Sequence, residues 1–124
     1  MTDGSIRRTL GDVVEPRSVD EAVDWLRKNY RGERAQGLRA RIALELSGAD
    51  GGAIGLRIDD GDLEVTTSAE DSCDVRLRLS AADYFGILAG RENADLLYMA
   101  GRLEIEGDLS LAMKLRTIFR PASA

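Results

Sequence analysis

Carboxylates are the most abundant chemistry-bearing groups in this 124-residue sequence, which contains no histidine. Histidine is the commonest general base and metal ligand. Glu104 and Glu106 lie two residues apart, a spacing that could pair a general acid with a general base. Such a pair needs burial to perturb its pKa values, and strand alternation directs both side chains to water. We therefore expect a protein that is not an enzyme, with no catalytic residues.

Other residue patterns give no metal or cofactor site. The acidic run from Asp59 to Glu64 lacks the spacing of a calcium-binding loop and is typical of a solvated hairpin tip. Cys73 is the only cysteine, so neither an internal disulfide nor an ordinary zinc site is expected. The glycines between 48 and 55 have no following helix to cradle a phosphate. The sequence therefore predicts no cofactor and no metal.

Composition limits the class of protein and its partners. The formal net charge is −5 and the pI is about 4.8, so nucleic acid is not an expected partner. No apolar run has the length of a signal peptide or membrane span, which favours a cytoplasmic protein without stable membrane insertion. The length suits a single domain over residues 1–124, and 1–14 are expected to form a loosely ordered segment.

Alternation of apolar and polar residues predicts a sheet with one buried face. Three strand-like runs cover 38–47, 54–59 and 63–66, and the Asp60-Gly61 pair between the last two indicates a tight hairpin. A fourth run covers 73–79 and a fifth 102–106. Helices are predicted after the capping residues Ser18, Ser80, Asn93 and Asp108. The predicted fold is α+β in the order α-βββ-β-αα-β-α.

The last predicted helix, 109–119, is apolar over more than half of its circumference. A helix of this kind is either buried on more than one side or borders a cavity. The outer face of the predicted sheet instead carries six arginines together with six acidic side chains. That face could dock an acidic partner, but cross-strand ion pairing explains it more simply.

From about Asp20 to Phe119 the sequence resembles the sterol carrier protein type 2 family, most specifically in its C-terminal half. The resemblance rests on the pattern Gly101-x-Leu103-x-Ile105-x-Gly107-Asp108 leading into an apolar helix, and on the strand at 74–79 followed by Ser80. It implies a five-stranded, mainly antiparallel sheet with helices packed on one face. It also implies an apolar tunnel between sheet and helices that takes a fatty acid, a fatty acyl-CoA or a sterol.

The resemblance supplies no catalytic residues, so the tunnel lining is inferred from the inward positions of the pattern. The strands should contribute Leu56, Ile58, Leu77, Leu79, Leu103 and Ile105. The helices should contribute Phe85, Leu88, Met99, Leu109, Met113 and Phe119.

Three functional hypotheses follow. The first is a non-enzymatic carrier that binds or transfers an apolar lipid. The second is an accessory or scaffold domain that forms a homodimer or presents a lipid-like intermediate to a partner enzyme. The third is an enzyme, which would require a buried Asp or Glu facing the tunnel.

Overall fold

The structure is a computed structural model that describes residues 15–68 and 72–119. The N-terminal segment predicted to be loosely ordered lies outside these residues. Along the chain the elements are α1 (Val19–Lys28), a short 3-10 helix (Gly32–Arg34), β1 (Arg39–Ser47), β2 (Gly52–Asp59), β3 (Asp62–Thr66), β4 (Val75–Ser80), α2 (Ala81–Ala89), α3 (Ala94–Met99), β5 (Glu104–Gly107) and α4 (Leu109–Ile118).

The five strands form one mixed sheet in the order β3-β2-β1-β4-β5. β2 pairs antiparallel with both β1 and β3, and β5 pairs antiparallel with β4. β1 and β4 are parallel neighbours, with Leu44 level with Leu77. The predicted α+β fold with a mainly antiparallel five-stranded sheet is therefore confirmed. The described elements share one core cluster, and the prediction of a single domain over the full chain stays a prediction.

Side-chain caps begin each of the four α-helices at the predicted residue. The side-chain oxygens of Ser18, Ser80, Asn93 and Asp108 each accept a hydrogen bond from the backbone amide three residues later, at 3.0–3.2 Å. These bonds satisfy amide donors that have no partner inside the helix. The caps therefore fix where α2 and α4 leave the sheet and where α3 begins after α2.

The hairpin between β2 and β3 turns at Asp60 and Gly61, as predicted. Both residues have positive φ, 50° and 94°, the conformation that a type I′ turn requires. The turn fixes the register that places Leu56 beside Val65 on the inner face.

The two faces of the sheet differ as the alternation predicts. The inner face carries buried aliphatic side chains, among them Ile42, Leu44 and Val75. The outer face carries cross-strand ion pairs: Arg76 and Arg78 each contact the carboxylates of Glu45 and Glu106, and further pairs join Arg39 to Asp59 and Arg57 to Glu64. Cross-strand ion pairing thus accounts for most of the charged side chains on the outer face of the sheet.

Candidate functional site: an apolar cavity between sheet and helices

A cavity of about 570 Å³ lies between the inner face of the sheet and all four α-helices. Its sheet wall includes Leu44, Leu77 and Ile105, which lie level with one another on three adjacent strands. Trp25 and Leu26 of α1 form another part of the wall. The volume falls within the range of about 300–1,000 Å³ that is typical of small-molecule sites.

The cavity opens to solvent beside α3 and α4. Tyr98, Leu109 and Met113 line the cavity, yet each is about half exposed. We call these three residues the mouth. Leu96 and Met99 are also exposed on α3 and extend the apolar surface. Large apolar side chains exposed together are unusual on a soluble domain and mark sites of contact.

Nine of the twelve residues predicted to line the tunnel do line this cavity. They come from β2, β4, β5 and the residue before it, α2, and α4 and the residue after it: Leu56, Leu77, Leu79, Leu88, Leu103, Ile105, Leu109, Met113 and Phe119. Their contact with a ligand stays a prediction.

The other three predicted residues lie elsewhere. Ile58 is buried, but it sits two residues from Leu56 toward the hairpin, where α1 packs on β2 and β3. Phe85 is buried in the core but does not line the cavity. Met99 is 79% exposed at the end of α3. It lies about 200° around the helix axis from Leu97, the one buried residue of α3, and therefore on the opposite side of the helix.

Sequence reasoning missed thirteen lining residues. Leu44 was readable, since it alternates inward on β1, and Tyr84 lies one helical turn before Leu88. The positions on α1 and α3 depend on how those helices are oriented over the sheet, which a single helix pattern does not encode. The thirteen are Trp25, Leu26, Leu44, Tyr84, Ile87, Ala89, Gly90, Ala94, Asp95, Tyr98, Ala112, Leu115 and Arg116.

Asp95 of α3 and Arg116 of α4 are the only charged residues among the described cavity lining. They form a bidentate ion pair, with Arg116 Nη1 at 3.1 Å from Asp95 Oδ2 and Nη2 at 2.5 Å from Oδ1. The hydrogen bonds from Arg116 lower the pKa of the Asp95 carboxyl. Both side chains are about half exposed, so the pair lies at the solvent edge of the cavity.

The interior of the cavity is uncharged. Burial raises the pKa of the Tyr84 phenol well above its ordinary value, so this hydroxyl is neutral at physiological pH. The other interior lining residues are mainly Leu, Ile and Ala. The wall therefore favours hydrocarbon over polar groups.

A buried carboxylate does exist in the described part of the chain, but it faces a different space. Asp83 has a side chain only 8% exposed and accepts a hydrogen bond from Arg102 at 2.6 Å. It borders a polar groove shared with Ser47, Ser80 and Glu104, beyond the carboxyl ends of β1 and β4. The structure thus gives the enzyme hypothesis no buried carboxylate among the described residues of the apolar cavity.

Further structural findings concern metals and membranes. Within 15–68 and 72–119, no group of three or more Cys, Asp or Glu residues is arranged to hold a metal ion. In the same part of the chain, no helix has the length and apolar character needed to cross a membrane.

These features define an α+β domain with a sheet that is apolar on one face, helices over that face and an apolar cavity between them. The family model described as the SCP-2 sterol transfer family matches residues 22–120. The chain therefore belongs to the SCP-2 sterol transfer family, which confirms the resemblance found in the sequence.

The chain is also similar to individual curated proteins. Hydroxysteroid dehydrogenase-like protein 2 from Homo sapiens is 26% identical over 114 residues, covering 89% of this chain and 27% of that protein. The chain thus spans about a quarter of the length of these curated relatives.

Two solved structures share the fold. The sec-alkylsulfatase Pisa1 from Pseudomonas sp. matches with a TM-score of 0.73 at 17% identity, covering 83% of this chain and 16% of that chain. Palmitated SCP2L2 from Aedes aegypti matches with a TM-score of 0.57 at 20% identity, covering 80% of this chain and 91% of that chain. Identities this low show similarity of fold alone.

Proposed function

We propose that this chain binds one apolar lipid in the cavity between sheet and helices and carries it without chemical change. The observation that carries the proposal is the cavity itself, whose interior lining is mainly apolar and whose mouth is apolar. Membership in a family described by sterol transfer and the palmitated relative from Aedes aegypti support a lipid as the ligand.

The volume is sufficient for a single acyl chain. At roughly 30 Å³ per non-hydrogen atom, the share of a water molecule in the liquid, a cavity of about 570 Å³ holds on the order of 19 such atoms. A fatty acid of about 16 carbons matches this capacity.

Binding is driven by burial of the acyl chain. Each buried methylene contributes about 0.8 kcal/mol, so a chain of about 16 carbons gains on the order of 10 kcal/mol. Immobilising protein and ligand opposes this by several kcal/mol. The balance predicts a dissociation constant in the micromolar range.

Trp25 provides a direct assay, because it is the only tryptophan of the chain and lines the cavity. Delipidated protein titrated with palmitic acid should show a saturable change in tryptophan fluorescence. Native mass spectrometry of protein fresh from cells should show the mass of a bound lipid. The absence of saturable binding for a fatty acid, an acyl-CoA and a sterol alike would refute the proposal.

A second candidate function is that of an accessory domain that presents a lipid-like substrate to an enzyme. It is favoured by the length comparison, since matched curated relatives are about four times as long as the aligned segment and are named as dehydrogenase-like. The exposed apolar side chains of α3, Leu96 and Met99, would suit contact with such a partner. A ligand-free homodimer in native mass spectrometry would favour this scaffold role over the carrier.

A further inference from the structure

The cavity meets solvent at a place where its only described charges are paired with each other. Asp95 lies in the first turn of α3 and Arg116 in the last turn of α4, and both line the cavity beside the apolar mouth. A ligand whose chain fills the interior has its polar end where the lining meets solvent. The end group of such a ligand therefore approaches the Asp95–Arg116 pair.

The chemistry of the pair indicates which end group fits. A guanidinium presents its N–H donors as a planar fork that matches the two oxygens of a carboxylate. The structure shows this match directly, because each terminal nitrogen of Arg116 bonds one oxygen of Asp95. A carboxylate on the ligand would make the same two bonds, whereas a hydroxyl or an ester offers no such pair of charged oxygens.

We propose that Arg116 recognises the carboxylate of a single-chain amphiphile, and that Asp95 is the resident counter-ion which this carboxylate displaces. The inference rests on the proposed function, since it assumes a lipid in the cavity. It adds a specificity-determining residue and narrows the ligand to an acid with one long chain. Asp95 then has two effects: it holds the fork in place in the structure, and it competes with the ligand for Arg116.

A purely structural role for the pair makes a different prediction. If the pair serves only to join α3 to α4, removing either partner breaks the same contact and changes the binding of every ligand in the same direction. If Arg116 recognises a carboxylate, loss of Arg116 weakens binding of the acid. Loss of the charge of Asp95 then strengthens it, because a competitor and a repelling charge are removed.

The test compares two ligands of equal chain length, palmitic acid and 1-hexadecanol, by Trp25 fluorescence at pH 8 and low ionic strength. The proteins are wild type, Arg116→Gln, Asp95→Asn and, as a matched control, Lys114→Gln. Lys114 is exposed on the same helix, does not line the cavity and carries the same charge. Circular dichroism and thermal melting establish that each variant is folded.

For palmitic acid we expect Arg116→Gln to raise the dissociation constant about threefold to tenfold, the range for a half-exposed charged hydrogen-bonded pair. Asp95→Asn should lower it about twofold to fivefold, and Lys114→Gln should leave it within about twofold. For 1-hexadecanol, Arg116→Gln and Asp95→Asn should each change the dissociation constant much less than for palmitic acid, and Lys114→Gln should match wild type.

The outcomes distinguish failure of carboxylate recognition by Arg116 from failure of lipid binding itself. Equal effects of Arg116→Gln on acid and alcohol, or weakening by Asp95→Asn, would overturn the inference while leaving a lipid-binding cavity in place. An effect of Lys114→Gln as large as that of Arg116→Gln would also overturn it, since it would show a general effect of charge. Failure of both ligands to bind wild type would overturn the proposed function and the inference together.

Discussion

Filling the cavity from α4 should shorten the fatty acid that the protein prefers. Ala112 lines the cavity and is only partly exposed. Ala112→Phe adds six carbon atoms, which occupy at most about 180 Å³ at roughly 30 Å³ per atom. If the whole ring enters the cavity, its capacity falls from on the order of 19 to about 13 non-hydrogen atoms.

The free-energy loss follows from the methylenes that no longer fit. Six methylenes at about 0.8 kcal/mol each give an upper bound of about 5 kcal/mol. Since Ala112 is partly exposed, about half of the ring should enter, so we expect a loss of about 2–3 kcal/mol for palmitic acid. At about 1.4 kcal/mol per factor of ten, the dissociation constant rises roughly 30- to 150-fold.

The assay titrates the protein with a series of saturated fatty acids from about 10 to 18 carbons and follows Trp25 fluorescence. Wild type should bind best near about 16 carbons, and the variant near about 12 or 13. Ser110→Phe is the control, because Ser110 is exposed on the same helix and does not line the cavity. An unchanged optimum in Ala112→Phe, or the same shift in Ser110→Phe, would refute the assignment of this cavity as the acyl-chain site.

Three predictions concern stability. Arg102→Gln should lower the free energy of unfolding by about 1–3 kcal/mol, because the buried Asp83 carboxylate loses its partner. Urea titration measures this loss, and adding Asp83→Asn to the Arg102→Gln variant should restore part of the lost stability. Glu45, whose pKa is held below 4.5 chiefly by hydrogen bonds from two arginines of β4, stabilises the fold above that pH and loses its contribution as the pH falls through the lowered value. Glu45→Gln should therefore differ from wild type in urea stability near neutral pH and converge with it in acid, and a constant difference would contradict this. Gly107→Ala should destabilise by about 1–3 kcal/mol, since Gly107 has φ 108° and a Cβ there would lie 2.4 Å from the Asp74 carbonyl oxygen; an unchanged melting temperature would count against that close approach.

Local features of the fold were readable from the sequence, because they depend on residues close together in the chain. The capping residues and the Asp60-Gly61 turn act through bonds and torsions within three or four positions. Strand alternation likewise identified Leu77 and Ile105 as inward residues. These predictions agree with the structure because each element's preference and its place in the sheet coincide.

Features that join distant segments were not readable. Asp95 and Arg116 belong to different helices, and their pairing depends on how α3 and α4 lie across the sheet. Met99 was predicted to face inward, but α3 has six residues and only one buried position, too short a stretch for periodicity to fix its orientation. The parallel pairing of β1 with β4 is likewise set by the path of the chain, and the alternation of apolar and polar residues does not reveal it.

The helix that closes the cavity is held mainly at its two ends. At its start, the Asp108 amide donates to the Asp74 carbonyl oxygen at 2.9 Å. At its end, the Arg31 amide donates to the Ile118 carbonyl oxygen at 2.6 Å, and the rings of Tyr30 and Phe119 lie 5.4 Å apart. Between these anchors Ala112, Met113 and Leu115 line the cavity, whereas Leu111 is buried in the core. Substitutions in the middle turns of α4 should therefore change the cavity while the contacts at the two ends keep the helix in place. A library confined to these turns would be an economical route to variants that accept ligands of different size.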